Sequence, residues 1–355
     1  MGQFSIDQFV PMLHAHDAVG NHTLRLQDAL RSNGYDSEIF VEHFDNDTVD
    51  KTKLYSDFED VRKNAGLIIY QFATSSDMVA WLLQSQYRVW VNFHNITPPE
   101  YFDSWNRVVA KIQRRAQIEL RQLASIAEMG LTVSRFNESV LNQFGFRECR
   151  VLPPLVGSSS MERKSGGKIE SNYYPLKWLS VGRLSPNKSL EDAIGALFYF
   201  NEMTGLGAEL TIVGKNSISP YLNALRVLVR NLGLQDKVVF VGSIGDNELS
   251  NLYDTSDLLV VSSRHEGYCF PLVEAMSHGL PIVGVAEGAI PEVLGSNHNT
   301  VEAHDPKKLA AKIIEISERA EWKSVIESNY ERLSQLNLDS AGAQYIKLID
   351  DTLRK

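Results

Sequence analysis

Residues 256–294, SDLLVVSSRHEGYCFPLVEAMSHGLPIVGVAEGAIPEVL, constrain the fold more than any other stretch of the chain. Ser256–Ser263 is short, apolar and β-branched, the pattern of a strand buried in a parallel sheet. Pro271 stands where a first helical turn accepts proline, because no N–H is needed there. The helix is expected to run to about Ser277, with Gly279 ending it and Pro281–Val285 opening the next strand. A strand, a loop and a helix N-terminus aimed back across the strand tip make a site for an anion. Free amides and the helix dipole both favour negative charge there.

Two carboxylates flank that site, Glu266 in the loop and Glu274 in the helix, with seven residues between them. On one continuous helix they would diverge by about 80°. Gly267 and Pro271 break the continuity, so the two can serve different parts of one ligand. Taken alone, the pair also reads as a solvated loop glutamate and a glutamate at a helix N-terminus. The full phrase HEGYCFPLVEAMSHGLPIV is more specific. It resembles, almost position by position, the donor motif of the GT-B glycosyltransferases of the retaining family 4. The resemblance implies an α/β chain of two Rossmann-like, doubly wound parallel-sheet domains facing a cleft, and a nucleotide sugar as donor. It gives the ribose hydroxyls to Glu274 and hydroxyls of the sugar to Glu266. Gly267, Tyr268, Cys269, Phe270, Pro271, Leu272 and Val273 would line the same donor.

At 355 residues the chain suits two domains rather than one core. Its 35 basic and 44 acidic residues leave a net charge of −9, which argues against general nucleic-acid binding. Cys149 and Cys269 fall in different halves, so neither a disulfide framework nor a paired zinc motif is expected, and a reducing cytosol is. Met1–Val10 lacks the apolar core of a signal peptide. No run approaches the roughly 18 apolar residues of a spanning helix. The protein is expected to be cytoplasmic, with any membrane contact peripheral, at the inner face.

Phe9–Leu13 reads as a first strand, followed by a glycine-containing loop (Ala18-Val19-Gly20-Asn21), a helix stopped by Gly34, and a strand at Ser37–Val41. Ligands of open parallel sheets bind at that strand edge, so Gly20 is a candidate for the donor phosphates. The family often has two adjacent glycines at this place; here there is Gly20 alone. His14, His16, Asp17 and His22 invite a metal reading, but Ala18 stands where a binuclear hydrolase would need histidine. Asp45-Asn46-Asp47 imitates an Asp-x-Asp metal motif and reads better as a solvated turn. No metal and no cofactor are expected.

Further strands are expected at Leu67–Phe72 and Arg88–Phe93, the second leading into His94. The family carries His or Asp here, near the sugar and β-phosphate, which makes His94 a catalytic candidate; it could instead cap the following helix. HNITPPEYF resembles a bacterial subset of the family associated with polysaccharide and lipopolysaccharide assembly. From Pro99 to about Met129 a helix is expected. Arg107, Lys111, Arg114, Arg115 and Arg121 lie on it beside an apolar face. Such a helix is either a crossover with a solvated basic face or a contact for anionic lipid.

GSSSMERKSGGKIESNYYP reads as a linker. The expected organisation is 1–158 as the acceptor-side domain, 159–175 as linker, 176–337 as the donor domain and 338–355 as a terminal helix. In GT-B folds such a helix can cross back to the first domain. Strands are expected at Lys177–Val181, Glu209–Val213, Lys237–Val241, Asp257–Val261 and Pro281–Val285. At the first exit, Gly182, Arg183 and Lys188 combine a fork of donors with a point charge, suited to a diphosphate. The family keeps Arg and Lys at these places. Gly214 and Gly242-Ser243-Ile244 mark further strand exits, and by resemblance the second lines the base.

The activity so implied moves a hexosyl unit from a nucleotide sugar, GDP-mannose or a UDP-hexose, to a saccharide or lipid-linked glycan. The anomeric configuration would be retained and no metal used, with His94, Glu266, Arg183 and Lys188 as catalytic candidates. Two alternatives share the fold: a nucleotide-sugar-binding partner subunit without turnover, and a sugar-nucleotide epimerase. No Gly-x-Gly-x-x-Gly opens either half, which argues against a dehydrogenase.

Overall fold

The computed structural model describes residues 4–14, 17–62, 65–156, 175–295, 299–302, 304–317 and 319–353. The expected linker, but for its last residue, and His16 lie outside the described residues. The chain divides into two compact units: Met1–Glu100 with Val108–Gly157 and Asn337–Lys355, and Tyr101–Arg107 with Ser158–Leu336.

The first unit is built on a parallel seven-stranded sheet: β1 (Ser5–Val10), β2 (Ile39–Val41), β3 (Lys53–Leu54), β4 (Ala65–Phe72), β5 (Arg88–Phe93), β6 (Met129–Thr132) and β7 (Cys149–Val151). Their order is β3-β2-β1-β4-β5-β6-β7, so the winding reverses between β1 and β4. Both faces are covered, as the side-chain period of two shows on β4. Leu67 and Ile69 pack with Leu26, Leu30 and Trp90 on one face. Ile68, Tyr70 and Phe72 pack with Phe93, Ala116 and Leu120 on the other. Burying each such side chain contributes about 1.5–3 kcal/mol. The terminal helix Ala341–Leu353 adds Tyr345 and Ile349 to the first face, and Tyr35 Oη donates to Asp350 Oδ1 at 2.5 Å.

Two expected elements shift. The first strand occupies Ser5–Val10, not Phe9–Leu13, because its polar residues are paired inside the fold. Asp7 is fully buried against Arg62, whose Nη2 lies 2.8 Å from its Oδ1, and Gln8 joins a buried amide row. A strand holding Asp and Gln at its centre has no apolar signature. The helix expected over Pro99–Met129 runs over Arg107–Leu123. Pro99–Tyr101 forms a single 3₁₀ turn, and Met129 opens β6 with all four of its residues buried.

The second unit repeats the architecture with six parallel strands: β8 (Leu176–Val181), β9 (Ala208–Val213), β10 (Val238–Gly242), β11 (Leu258–Val261), β12 (Ile282–Val285) and β13 (Thr300–Val301). The order is β10-β9-β8-β11-β12-β13. The winding reverses between β8 and β11, and ligands of open α/β sheets bind at the carboxyl ends of strands at such a reversal.

Candidate active site

The turns that leave β8 and β11 meet at that reversal. Lys188 ends a 3₁₀ turn, Pro186–Lys188, and its Nζ lies 2.5 Å from Glu266 Oε1 in the turn after β11. The Arg264 amide donates to Asn187 O at 2.8 Å, and Ser262 Oγ donates to Lys188 O at 3.0 Å. Arg264 also reaches across with Nε to Ser189 Oγ at 2.9 Å and Nη2 to Asp192 Oδ2 at 3.3 Å. Burial works against the Lys188 charge, but Glu266 more than offsets it, so the ammonium sits above its ordinary value. Its three donors leave two for a ligand beyond Glu266. Arg183 is exposed and makes no side-chain hydrogen bond or ion pair among the described residues.

Glycines make this edge possible. Gly182, Gly214 and Gly242 lie at neighbouring strand ends with φ of 148°, 148° and 86°. Gly214 N–H donates to Gly242 O at 2.8 Å, and Gly182 N–H to Val213 O at 2.9 Å. The Lys188 chain lies across Gly182, where a Cβ would stand 3.2 Å from its Cε. Ser243 and Ile244 follow at the β10 exit.

The helix Phe270–Ser277 starts after Cys269, which holds the left-handed conformation at φ 71°. Pro271 has no N–H, and the Leu272 amide turns back to Cys269 O at 3.0 Å. The free amides expected at this helix N-terminus are thereby reduced in number. Burial first, then Glu266, holds the Cys269 thiol well above its ordinary value, so it is no thiolate nucleophile at neutral pH. Gly267 and Tyr268 complete the turn before it; Tyr268 is buried.

Two residues that hold the Glu274 carboxylate and the Glu266 backbone in place carried no sequence signal. Tyr253 Oη, on the helix Asp246–Thr255, donates to Glu274 Oε2 at 2.6 Å. Burial and then the Glu274 charge keep that phenol protonated. Its ring stacks on His278, which bonds Asp254 Oδ1 through Nδ1 at 2.6 Å. Gly288, beyond β12 at φ 59°, is the floor under Glu266: a Cβ there would fall 2.5 Å from Glu266 O. The next amide, Ala289, donates to that same oxygen at 2.9 Å. Only the packed structure brings either of them to the site, since both belong to other strand–helix units.

In the first unit, His94 follows β5 and is half-buried. Its Nε2 lies 2.6 Å from Gln71 Oε1, and its ring packs edge-on against His22 at 5.1 Å. His22 is buried, with Asn92 Nδ2 2.8 Å from its Nε2 and the Leu155 amide 3.3 Å from its Nδ1. A neutral ring has one bare nitrogen, so the shorter contact is kept and the longer one yields. Burial pushes His94 down to about 4, and burial with the neighbouring His94 holds His22 well below its ordinary value. Both rings are therefore neutral at pH 7. The unfolded chain takes up protons on them as pH falls through about 6.5, while the fold does not. Stability conferred by these rings is thus fully present above pH 6.5 and lost as pH drops toward about 4. Urea midpoints measured from pH 8 to pH 5 should fall, and His22→Gln should flatten that fall. An equal slope in both proteins would sink the assignment.

Gly20 lies in the first turn of the helix Ala18–Ser32, not in a loop. Its N–H donates to the capping Asp17 Oδ1 at 2.7 Å, so that amide is already committed. The glycine is required by packing: a Cβ would stand 1.7 Å from His14 O. His14 Nδ1 meets Asp45 Oδ2 at 2.7 Å, while Asp45 Oδ1 accepts from the Asp47 amide at 2.9 Å, an Asx turn as expected of that loop.

The profile of the family glycosyl transferases group 1 matches residues 164–332. The O-antigen chain mannosyltransferase B of Escherichia coli is 25% identical over 249 residues, 67% of this chain and 63% of that protein. The chain spans only part of such curated relatives, 26%, 63% and 55% of the length of three of them. Among solved structures, sucrose-phosphate synthase from Thermosynechococcus elongatus superposes with a TM-score of 0.79 at 17% identity, covering 99% of this chain and 100% of that one. Anabaena HepE, solved with UDP and glucose, gives 0.76 at 17% identity, covering 98% and 100%. The fold is GT-B, two parallel Rossmann-like sheets.

Proposed function

We propose, for a chain that belongs through residues 164–332 to the group 1 glycosyl transferases, that it moves a hexosyl unit from a nucleotide sugar to a glycan or lipid-linked saccharide. The observation that carries this reading is the Lys188–Glu266 pair at the β8/β11 reversal, 2.5 Å apart, with Arg183 near enough for its charge to bear on the lysine. A lysine with two donors to spare and an unpaired guanidinium suit a diphosphate. Glu266 Oε2 has no hydrogen-bond partner among the described residues and suits hydroxyls of the sugar. Glu274, fixed by Tyr253, suits the ribose.

In the reaction so read, the bond between the anomeric carbon and the β-phosphate oxygen breaks. The acceptor hydroxyl oxygen bonds to that carbon on the same face, and its proton passes to the departing phosphate. Lys188 and Arg183 stabilise the charge that builds on the phosphate, without a metal. His94, at the exit of β5 in the first unit, is the further catalytic candidate that the family resemblance implies. The O-antigen mannosyltransferase relative supports mannose as the sugar moved, for which GDP-mannose is the donor proposed; HepE, solved with UDP and glucose, supports a UDP-hexose. Melting curves with GDP, UDP, GDP-mannose and UDP-glucose decide between them, because a ligand of the folded state raises Tm by mass action. A rise of several degrees with one pair and transfer from that sugar with retained configuration are expected. No rise with any of the four would refute the donor reading, and binding without transfer or hydrolysis would favour the partner-subunit alternative.

Among the described residues no helix is long and apolar enough to cross a membrane. The helix Arg107–Leu123 exposes Val108 at 69% and Ile118 at 62% beside the exposed Lys111 and Arg121. Apolar side chains among cations match an anionic lipid surface, and we assign the helix that peripheral contact. The protein should sediment with vesicles holding phosphatidylglycerol and not with neutral ones, and Ile118→Glu should release it. Equal sedimentation of the variant would refute the contact.

A further inference from the structure

We propose that Gln71 is a positioning residue that holds the His94 ring in its Nε2-protonated form, through a hydrogen-bond relay anchored on the Thr23 carbonyl. The relay crosses three neighbouring strands. Gln8 lies on β1, Gln71 on β4 and Asn92 on β5, all fully buried, and Gln71 pairs in register with Asn92. Three amides in a sheet interior are costly unless every one finds partners, so their directions are not free.

The directions follow from the one end that cannot change. A backbone carbonyl only accepts, so the Gln8 atom 2.9 Å from Thr23 O is the amide nitrogen. Its oxygen then faces Gln71 at 2.7 Å, which makes that Gln71 atom a nitrogen as well. The Gln71 oxygen is left for the last two contacts, Asn92 at 2.9 Å and His94 Nε2 at 2.6 Å. An amide oxygen has two lone pairs and no proton, so both neighbours must donate to it. His94 Nε2 therefore carries the ring proton. With one proton on a neutral imidazole, Nδ1 is bare, and it has no hydrogen-bond partner among the described residues. His94 thus offers a lone pair to a hydroxyl that donates, and cannot itself donate from Nδ1.

This assignment stands on the geometry alone; its consequence for turnover rests on the reading of His94 as a participant in transfer. The test uses the full chain with ¹⁵N-labelled histidine and long-range proton–nitrogen correlation at pH 7.5. His94 should show a protonated Nε2 and a bare Nδ1. Gln71→Leu should give a mixture of the two tautomers and lower kcat about tenfold, the effect of losing one hydrogen bond, with donor KM changed far less. Gln71→Glu, as the neutral acid, donates to Gln8 Oε1 and still accepts from His94 with its other oxygen, and should restore the single form. Gln8→Met, which touches neither His94 nor its ligand, should also mix the tautomers by letting the Gln71 amide turn over. A wild-type ring protonated on Nδ1 overturns the proposal even if no variant folds, as does a Gln71→Leu ring unchanged from wild type. A mixed ring with unchanged kcat upholds the relay and overturns the role given to His94 in transfer.

Discussion

Lys188→Ala is expected to lower kcat/KM by about 10²–10³, the typical effect of removing one donor that stabilises charge developing in a transition state. Arg183→Ala should fall in the same range, but the two differ in what else they disturb. Arg183 is exposed and unpaired among the described residues, so its loss should leave melting unchanged. Lys188 is largely buried with Glu266, side-chain exposures 17% and 10%, and its removal strands a carboxylate. Breaking such a pair from one side costs about 3–5 kcal/mol. Lys188→Met combined with Glu266→Gln removes both charges and should recover most of that stability while turnover stays low. A double variant that regains activity along with stability would show that Lys188 serves the fold and not the reaction. Full turnover in either alanine variant, with its proper donor, would remove the diphosphate assignment altogether.

Gly214→Ala is expected to have the largest structural effect. A Cβ there would lie 1.9 Å from Gly182 O and 2.6 Å from its carbonyl carbon, at a backbone φ of 148°. A strained φ and an overpacked backbone contact together cost about 2–5 kcal/mol. At roughly 2–4 °C per kcal/mol for a unit of this size, melting of the second unit should fall by about 4–20 °C. The displaced atoms are those of the Gly182-Arg183 turn, so nucleotide affinity should weaken in parallel. Gly233→Ala is the control: its φ of 68° is also positive, though milder for an L residue than 148°, nothing lies within 4 Å of the added carbon, and it is remote from the β8 exit in sequence. Equal losses in the two variants would mean that backbone strain alone, and not contact with the Gly182 turn, sets the effect.

Legibility differed sharply between residues. The strand Arg88–Phe93 matches its apolar run end to end, and Phe270–Ser277 starts and stops where Pro271 and Gly279 place it. Arg183, Lys188, Glu266 and Glu274 stood in local motifs whose spacing is visible along one dimension. β1 is illegible in the hydropathy pattern because Asp7 and Gln8 are satisfied by partners 55 and 63 residues away, Arg62 and Gln71. Gly20 reads as a loop residue because glycine ordinarily breaks helices, whereas here the His14 carbonyl excludes any larger residue from the first helical turn.

Hydropathy period and turn chemistry are local properties, so the chain alone determined two wound parallel α/β halves and the loops that leave their strands. Which groups meet across those loops is a matter of strand order, and strand order is fixed only by packing. The fold alone set Lys188 against Glu266, Tyr253 against Glu274, Gly288 beneath Glu266, and a buried amide row behind His94. A polar side chain inside a sheet has to be satisfied by whichever neighbour the topology supplies, and no pattern along the sequence records that neighbour.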